Sequence, residues 1–344
     1  MIIMNKIQTA YRAIAACYKK RQWIFSICAF LLLALLPYTV VRSSYLLGVV
    51  TKILMYSIAA SGLNLINGYS GQTNLGMAGF LAVGSYTASV FWWNLGLPTA
   101  LGFVAGILFA GIIGYVLSLP TLRLQGTYLT IITLGFSEVI RMIIVNWQSV
   151  TNGSIGIMGI DNLSIFGLKI PAGSKIYYLF TLGCLAVVVF VLSRLLNSRV
   201  GRAWISIREG QDAALSLGVE VAKYKSMNFV IGAMIGGLAG CLMTFYYRQA
   251  SPDMYTLDEG FNILAMVTVG GSGTLIGPIV GATFVFVLTE LLRFASRFRL
   301  VVYALLIIGT MWIRPQGIAG AKDSTIAHYA AFKLPKRRKE GKRE

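Results

Sequence analysis

The chain has 344 residues, of which 56% are hydrophobic and only 12% charged, and its mean hydropathy is +0.72. A soluble domain carries about 25% charged residues, so this composition excludes an ordinary water-soluble protein and makes lipid the natural solvent. The net charge of +18 does not point to nucleic acid, because the basic residues gather at the ends of apolar runs instead of interleaving with aromatics, which is the positive-inside pattern of membrane proteins.

In chain order, residues 1–22 form a basic segment with Lys6, Arg12, Lys19, Lys20 and Arg21. The apolar run 23–41 follows. It is too long for a signal-peptide core and lacks a small-x-small site after it, so it is expected to be a first span. Further runs fall at 45–66, 75–93, 99–119, 127–147, 176–196, 226–247, 261–270, 275–292 and 300–314. About 20 helical residues cross a bilayer, and most of these runs fit. The 261–270 run is too short alone and is cut off by Gly270-Gly271-Ser272-Gly273. Residues 148–175 are the longest expected outer connection, rich in the turn residues Asn152, Gly153, Gly156, Gly159, Pro171 and Gly173. Asn152-Gly153-Ser154 matches a glycosylation triplet, a pattern that chance often produces. From 319 the chain is a polar, basic tail ending with Lys333, Lys336, Arg337, Arg338, Lys339, Lys342 and Arg343.

The expected fold is an all-α, polytopic membrane protein with about eight to ten spans, some broken by glycine-rich segments. The permease-like body is 23–318. Charge places the N-terminal segment, the 197–225 loop (Arg199, Arg202, Arg208, Lys223, Lys225) and the tail 319–344 on the cytoplasmic side. Two cytoplasmic termini require an even number of crossings, which the ten runs satisfy. Arg293, Arg297 and Arg299 then fall outside, against the charge rule.

Enzyme chemistry has little to stand on. No GxxxxGK[ST] phosphate loop occurs, so ATP would be handled by a separate subunit, and no cofactor is expected. The one histidine, His328, lies in the tail and cannot build a zinc site. Cys17, Cys28, Cys184 and Cys241 contain no CxxC pair and read as small buried hydrophobes.

Three features carry functional information. Two glycine-broken segments, 67–76 and 270–278, each join apolar runs. Unwound backbone at membrane depth is tolerated only when buried in protein or lining a wet cavity, and transporters hold solutes at such half-helix ends. Asn67, Ser70, Gly71, Gln72, Asn74, Gly271, Ser272 and Gly273 are therefore candidate path residues, with close helix packing through small residues as the alternative. The likeness of the two segments hints at an internal pseudo-repeat. Second, Glu138 and Arg141 share a helix face. A structural ion pair and a solute contact are both open, because intramembrane charges persist only when paired or wetted. Asp258, Glu259 and Asn262 lie at a span's mouth and Glu290 near the end of another, where interfacial solvation is the expectation. Third, residues 198–218 contain a short expected helix from Asp212, a candidate cap, to Leu217, with Gly218 just past its end. Ala213, Ala214, Leu215 and Leu217 would give it an apolar surface suited to a docking partner.

At this loop the chain resembles the permease subunits of branched-chain amino acid ABC transporters. Gly201-Arg202-Ala203-Trp204, Ile207-Arg208-Glu209, Ala213-Ala214 and Leu217-Gly218 look like that family's ATPase-docking loop, so Gly201, Arg202, Arg208, Glu209, Asp212, Ala213, Ala214, Leu217 and Gly218 are candidate coupling residues. Leu122-Arg123-Leu124-Gln125-Gly126-Thr127-Tyr128-Leu129, Thr133-Leu134-Gly135-Phe136 and Glu138 resemble its central signature. Thr151-Asn152-Gly153-Ser154-Ile155-Gly156-Ile157 is similar to its TGG-x-x-GI stretch, with Asn152 in place of a glycine. Gly270-Gly271-Ser272-Gly273 and Arg314-Pro315-Gln316-Gly317 also fit, so the resemblance spans about residues 45–318. It implies a second related permease, two ATP-binding subunits, an extracytoplasmic solute-binding protein and inward, ATP-driven transport of a small polar solute across a bacterial or archaeal cell membrane. Urea and short-amide importers belong to the same broad family. An autonomous channel or ion-coupled carrier is the competing class; it would want an acidic relay in the membrane, and Glu138 is the single deep carboxylate the sequence suggests.

Overall fold

The computed structural model describes residues 43–122, 124, 126–165, 168–291, 304–305, 308–309, 312 and 317–320. The expected span 23–41, most of 300–314, Arg293, Arg297, Arg299 and the tail from 321 lie outside the described residues. The chain builds α1 (Ser44–Asn64), which widens into a π-helical turn (Leu65–Tyr69), then α2 (Met77–Trp93), α3 (Thr99–Thr121), α4 (Thr127–Asn146) and the short α5 (Gln148–Thr151). A connection follows with β1 (Ile157–Met158), β2 (Leu163–Ile165) and β3 (Leu168–Ile170). Next come α6 (Lys175–Leu196), α7 (Arg199–Glu209), α8 (Gln211–Ser216), α9 (Val221–Tyr247), β4 (Gln249–Ala250), α10 (Leu257–Gly270) and α11 (Gly277–Leu291). Among the described residues five helices, counting α1 with its π-turn, are long and apolar enough to cross a membrane: α1, α3, α4, α6 and α9. The fold is thus an all-α, polytopic membrane architecture.

Helix ends sort onto two faces. On one, Thr73 Oγ1 donates to the Gly126 carbonyl at 2.8 Å, Gly273 N donates to Asn64 Oδ1 at 2.8 Å, and the α7–α8 loop joins them; we call this the loop face. On the other, Trp92 Nε1 donates to Asp161 Oδ2 at 3.2 Å, Asn94 Nδ2 to the Val150 carbonyl at 3.2 Å, and Tyr45 to Glu290. That opposite face is sealed by a strand pair, Ile157 against Ala250 and Met158 against Gln249, and by the hairpin pairing Leu163 with Ile170. Arg248 fastens the seal, its Nε donating to the Ile160 carbonyl at 2.9 Å. The helices α1, α2, α3, α4, α6, α9, α10 and α11 therefore alternate in direction, as the expected crossing order requires. α10 starts at Leu257, four residues before the expected run at 261, because Asp258 and Glu259 occupy its first turn, where acidic side chains favour the helix dipole.

α9 is the hub, packed against α1, α2 and α3. Of its most apolar stretch 72% is buried, against 22% for α4, which forms an outer wall. Lipid supplies no hydrophobic force between helices, so close approach must come from small residues. A Cβ on Gly84 of α2 would stand 2.5 Å from Gly237 Cα of α9, and one on Gly106 of α3 would stand 2.6 Å from the Gly84 carbonyl oxygen. These three helices touch backbone to backbone.

Candidate translocation and coupling site

The first broken segment follows from hydrogen-bond accounting at two helix ends. The π-turn leaves carbonyls to satisfy, and Ser70 Oγ donates to the Ile66 carbonyl at 3.0 Å, as does Gln72 N at 3.2 Å. Gln72 Nε2 then donates to Ser70 Oγ at 2.7 Å. Asn67 and Asn74 clasp the segment reciprocally: Asn67 Nδ2 donates to the Asn74 carbonyl at 3.1 Å and Asn74 N to Asn67 Oδ1 at 3.0 Å. The first N–H groups of α2 need outside acceptors. Asn74 Oδ1 accepts from Gly76 N at 2.5 Å, and α4 supplies Thr133 Oγ1 to Leu75 N and Ser137 Oγ to Gly79 N, both at 3.0 Å. Gln72 and Asn74 are buried, while Gly71 is exposed.

The second broken segment docks directly on the first. Asn64 bridges them, accepting from Gly273 N and donating Nδ2 to the Thr274 carbonyl, each at 2.8 Å. Gly273 has φ +77°, a conformation that favours glycine, and a Cβ on Gly68 would lie 3.0 Å from Gly273 Cα. Gly271 is buried and Ser272 exposed. A third strand of chain joins them: Ile318 N donates to the Val269 carbonyl at 2.8 Å and Ala319 N to the Gly270 carbonyl at 2.9 Å. The path candidates of both segments thus meet in one brace. Asn64 is its pivot, and sequence reasoning missed it; the available signal was an amide inside an otherwise apolar run.

The loop beneath the brace has its own small core. Ser198 Oγ caps α7 by accepting from Val200 N at 3.1 Å. Gly201 lets α7 lie on the Leu196 backbone, whose carbonyl carbon would be 2.6 Å from a Cβ. Trp204 is fully buried, and its Nε1 donates to the Tyr224 carbonyl at 2.8 Å. Ile207, Ala214 and Val221 pack together beside it. Asp212 is not the cap that its position suggested. Gly210 holds the N-cap site, and Asp212 lies in the first turn of α8 without a side-chain cap bond. Gly218 does end the helix: at φ +81° it lets Gly218 N reach the Leu215 carbonyl at 2.9 Å and Val219 N the Ala214 carbonyl at 3.0 Å, a Schellman closure. Arg202, Glu209, Asp212, Ala213, Leu215 and Leu217 are exposed, Leu217 by 82%; Ala214 faces inward. Arg208 is the residue that ties loop to brace. Its Nη1 donates to the Gly68 carbonyl, and its Cγ would be 3.0 Å from a Cβ on Gly71.

Glu138 and Arg141 form the expected ion pair, 3.0 Å from Nη2 to Oε1, with Nε also donating at 3.2 and 3.3 Å. Their side chains remain 32% and 26% exposed, on the wall helix α4, beside a shallow hollow lined by Val139, Met142, Ile143 and Asn146. Glu138 does not join the brace, which α4 reaches through Thr133 and Ser137. Nor is it the deepest carboxylate: Glu259, expected to be solvated, has an enclosed oxygen.

The geometry joins an exposed loop to a glycine-broken brace in an apolar bundle, and comparison with known proteins agrees with a transport role. A protein-family model described as "Branched-chain amino acid transport system / permease component" matches residues 45–311. The "High-affinity branched-chain amino acid transport system permease protein LivM" of Escherichia coli strain K12 is 33% identical over 322 residues, covering 87% of this chain and 75% of its own. The LivH permease protein of the same system and strain is 24% identical, over 78% of this chain and 92% of its own. The probable LivM of Methanocaldococcus jannaschii is 23% identical, over 78% and 91%. No solved structure matches. With a model match over most of its length and a relative one-third identical across nearly all of it, the chain belongs to the branched-chain amino acid ABC transporter permease family.

Proposed function

We propose that this chain is one of two permease subunits of an ATP-driven importer that carries leucine, isoleucine and valine across a bacterial or archaeal cell membrane. The observation that carries the reading is the Arg208 hydrogen bond to Gly68, which connects an exposed apolar helix to the brace between the broken segments. In this reading the loop face is cytoplasmic, as are the segments 1–22 and 319–344, two ATPase subunits dock on that side of the permease pair, and one of them seats on α8. Their closure moves α7 and α8 as a body, because packed helices shift rigidly, and Arg208 passes the motion to the carbonyl of Gly68. An extracytoplasmic binding protein delivers solute to the face sealed by residues 148–174. Both LivM and LivH resemble this chain, which supports a second, related permease as the partner. The chain itself performs no chemistry; nucleotide hydrolysis belongs to the ATPases.

Radiolabelled leucine uptake tests this, in cells with and without the gene, before and after ATP depletion, with urea as competitor. Uptake is expected to need both gene and ATP and to ignore urea. Leucine uptake unchanged by the deletion would overturn the amino acid reading and turn the search to urea and amides.

The docking surface has a separate test. Leu217→Asp puts a charge where an apolar side chain is 82% exposed. Truncating or charging an interface anchor costs about 2 kcal/mol or more. The variant should fold normally, lose co-purifying ATPase and take up leucine at least about tenfold more slowly. Full ATPase retention would remove α8 as the docking element.

A further inference from the structure

Close to the face opposite the loop, a carboxylate stands in a ring of tyrosines. Glu259, in the first turn of α10, has an oxygen, Oε1, that is enclosed yet makes no hydrogen bond. Oε2 accepts a 3.5 Å contact from Asn262 Nδ2, one turn along the same helix. The Tyr56 hydroxyl of α1 lies beside the carboxylate as a hydrogen-bond donor, and Tyr247 at the end of α9 and Tyr255 before α10 lie within electrostatic reach of it. The Tyr255 hydroxyl is also buried and makes no hydrogen bond of good geometry, although Ser85 and Thr244 are beside it. Tyr255 packs edge-on to Tyr86 at 6.5 Å, and Tyr56 against Phe286 at 4.8 Å. Lys52, one turn before Tyr56, holds its ammonium 5.6 Å above the Tyr247 ring. No ion pair joins Lys52 to Glu259 among the described residues.

The donors around Glu259, which are Asn262 and Tyr56, are neutral, and Oε1 is enclosed without a hydrogen bond; an enclosed carboxylate with no cation beside it is costly, and a bound cation is one way such a group is satisfied. The chemistry of the neighbouring side chains selects the partner. A primary ammonium has three N–H donors, and Glu259 Oε1, the Tyr255 hydroxyl and the Asn262 side chain offer oxygen acceptors. Tyrosine faces attract cations, and Lys52 above Tyr247 is a resident example. We propose that Glu259, Asn262, Tyr56 and Tyr255 form a binding site for the primary ammonium group of the solute. The site rests on the reading of the chain as an amino acid permease and adds to it a selection for charge. An amino acid enters with its ammonium on Glu259, and urea or a neutral amide has no cation to place there.

The test uses the assembled transporter in lipid nanodiscs at constant sodium, with thermal unfolding as readout. The probes are 3-methylbutylammonium and 3-methylbutyrate, which share a branched apolar tail and differ in charged group. The amine is expected to raise the unfolding midpoint of the wild-type protein and the carboxylate to leave it unchanged. Glu259→Gln should weaken amine binding by at least about tenfold, the loss of one charged hydrogen-bonded partner. Glu259→Asp should keep part of it, and Asp258→Asn all of it. No amine shift in the wild type, or an equal shift in wild type and Glu259→Gln, would overturn the site. If Glu259→Gln does not fold, the Tyr56→Phe variant carries the comparison, with weaker amine binding expected and an unchanged shift counting against the site. Gene-dependent leucine uptake without an amine shift sinks this site and leaves the transport reading standing. An amine shift without leucine uptake does the reverse.

Discussion

A Gly84→Val chain will fail to assemble its bundle. Gly84 of α2 lies backbone to backbone on Gly237 of α9, and Gly106 of α3 rests in turn on Gly84. A valine there meets main-chain atoms of the hub helix, which cannot rotate aside as a flexible side chain could. Overpacking a well-fitted core costs about 1–3 kcal/mol even when side chains can adjust; here α2, α3 and α9 must separate, so the loss is larger. The same contact gives up the dispersion and weak Cα–H···O interactions that hold membrane helices together. The expected result is little monodisperse protein on fluorescence-detected size exclusion. Gly183→Val in α6 is the control, since a Cβ there meets nothing within 4 Å, and it should elute like the wild type. Equal yields from the two variants would show that the α2–α9 contact does not hold the fold.

An Arg208→Ala transporter is expected to hydrolyse ATP and transport almost nothing. The guanidinium donates to the Gly68 carbonyl across 140 positions of sequence and covers Gly71, so it is the direct bond between the loop and the first broken segment. Its removal leaves the small core of Trp204, Ile207, Ala214 and Val221 in place, and the exposed Leu217, the proposed docking residue, with it. A hydrogen bond from a charged group contributes about 1.5–3 kcal/mol, which corresponds to about a tenfold to hundredfold loss in coupled rate. Uptake in proteoliposomes should fall by that factor while ATP hydrolysis continues. Arg202→Ala is the matched control: its guanidinium makes a 3.4 Å contact to the Asn197 carbonyl within the loop, and its loss should leave uptake within about twofold, the effect of a weak exposed contact. Equal losses from the two arginines would assign the effect to loop charge instead of to the bond.

Much of this molecule is legible along the chain. The bilayer demands about 20 apolar residues per crossing, so runs of that length mark the long helices, and eight of the expected spans coincide with helices that alternate between the faces. The i,i+3 spacing of Glu138 and Arg141 announces their ion pair, and Gly218 marks the end of α8. These are local properties, decided within one or two helical turns. The start of α10 was harder to see because its first turn carries two carboxylates, which periodicity reads as the edge of a span.

The tertiary structure alone decided the pairings. Glycines 84 and 237 are visible as glycines, but which helices they bring together depends on how α2 and α9 cross. Asn64 looks like one polar residue in an apolar helix until Gly273 and Thr274 arrive beside it. Arg208 looks like a basic loop residue until the Gly68 carbonyl receives it, and Glu259 looks solvated until three tyrosine-bearing segments close around it. Composition and periodicity determine that this chain lives in a membrane as a set of apolar helices, because solvent acts on every residue where it stands. The brace, the Arg208 bond to Gly68 and the enclosed Glu259 oxygen are set by contacts between segments far apart in sequence, and no local pattern records them.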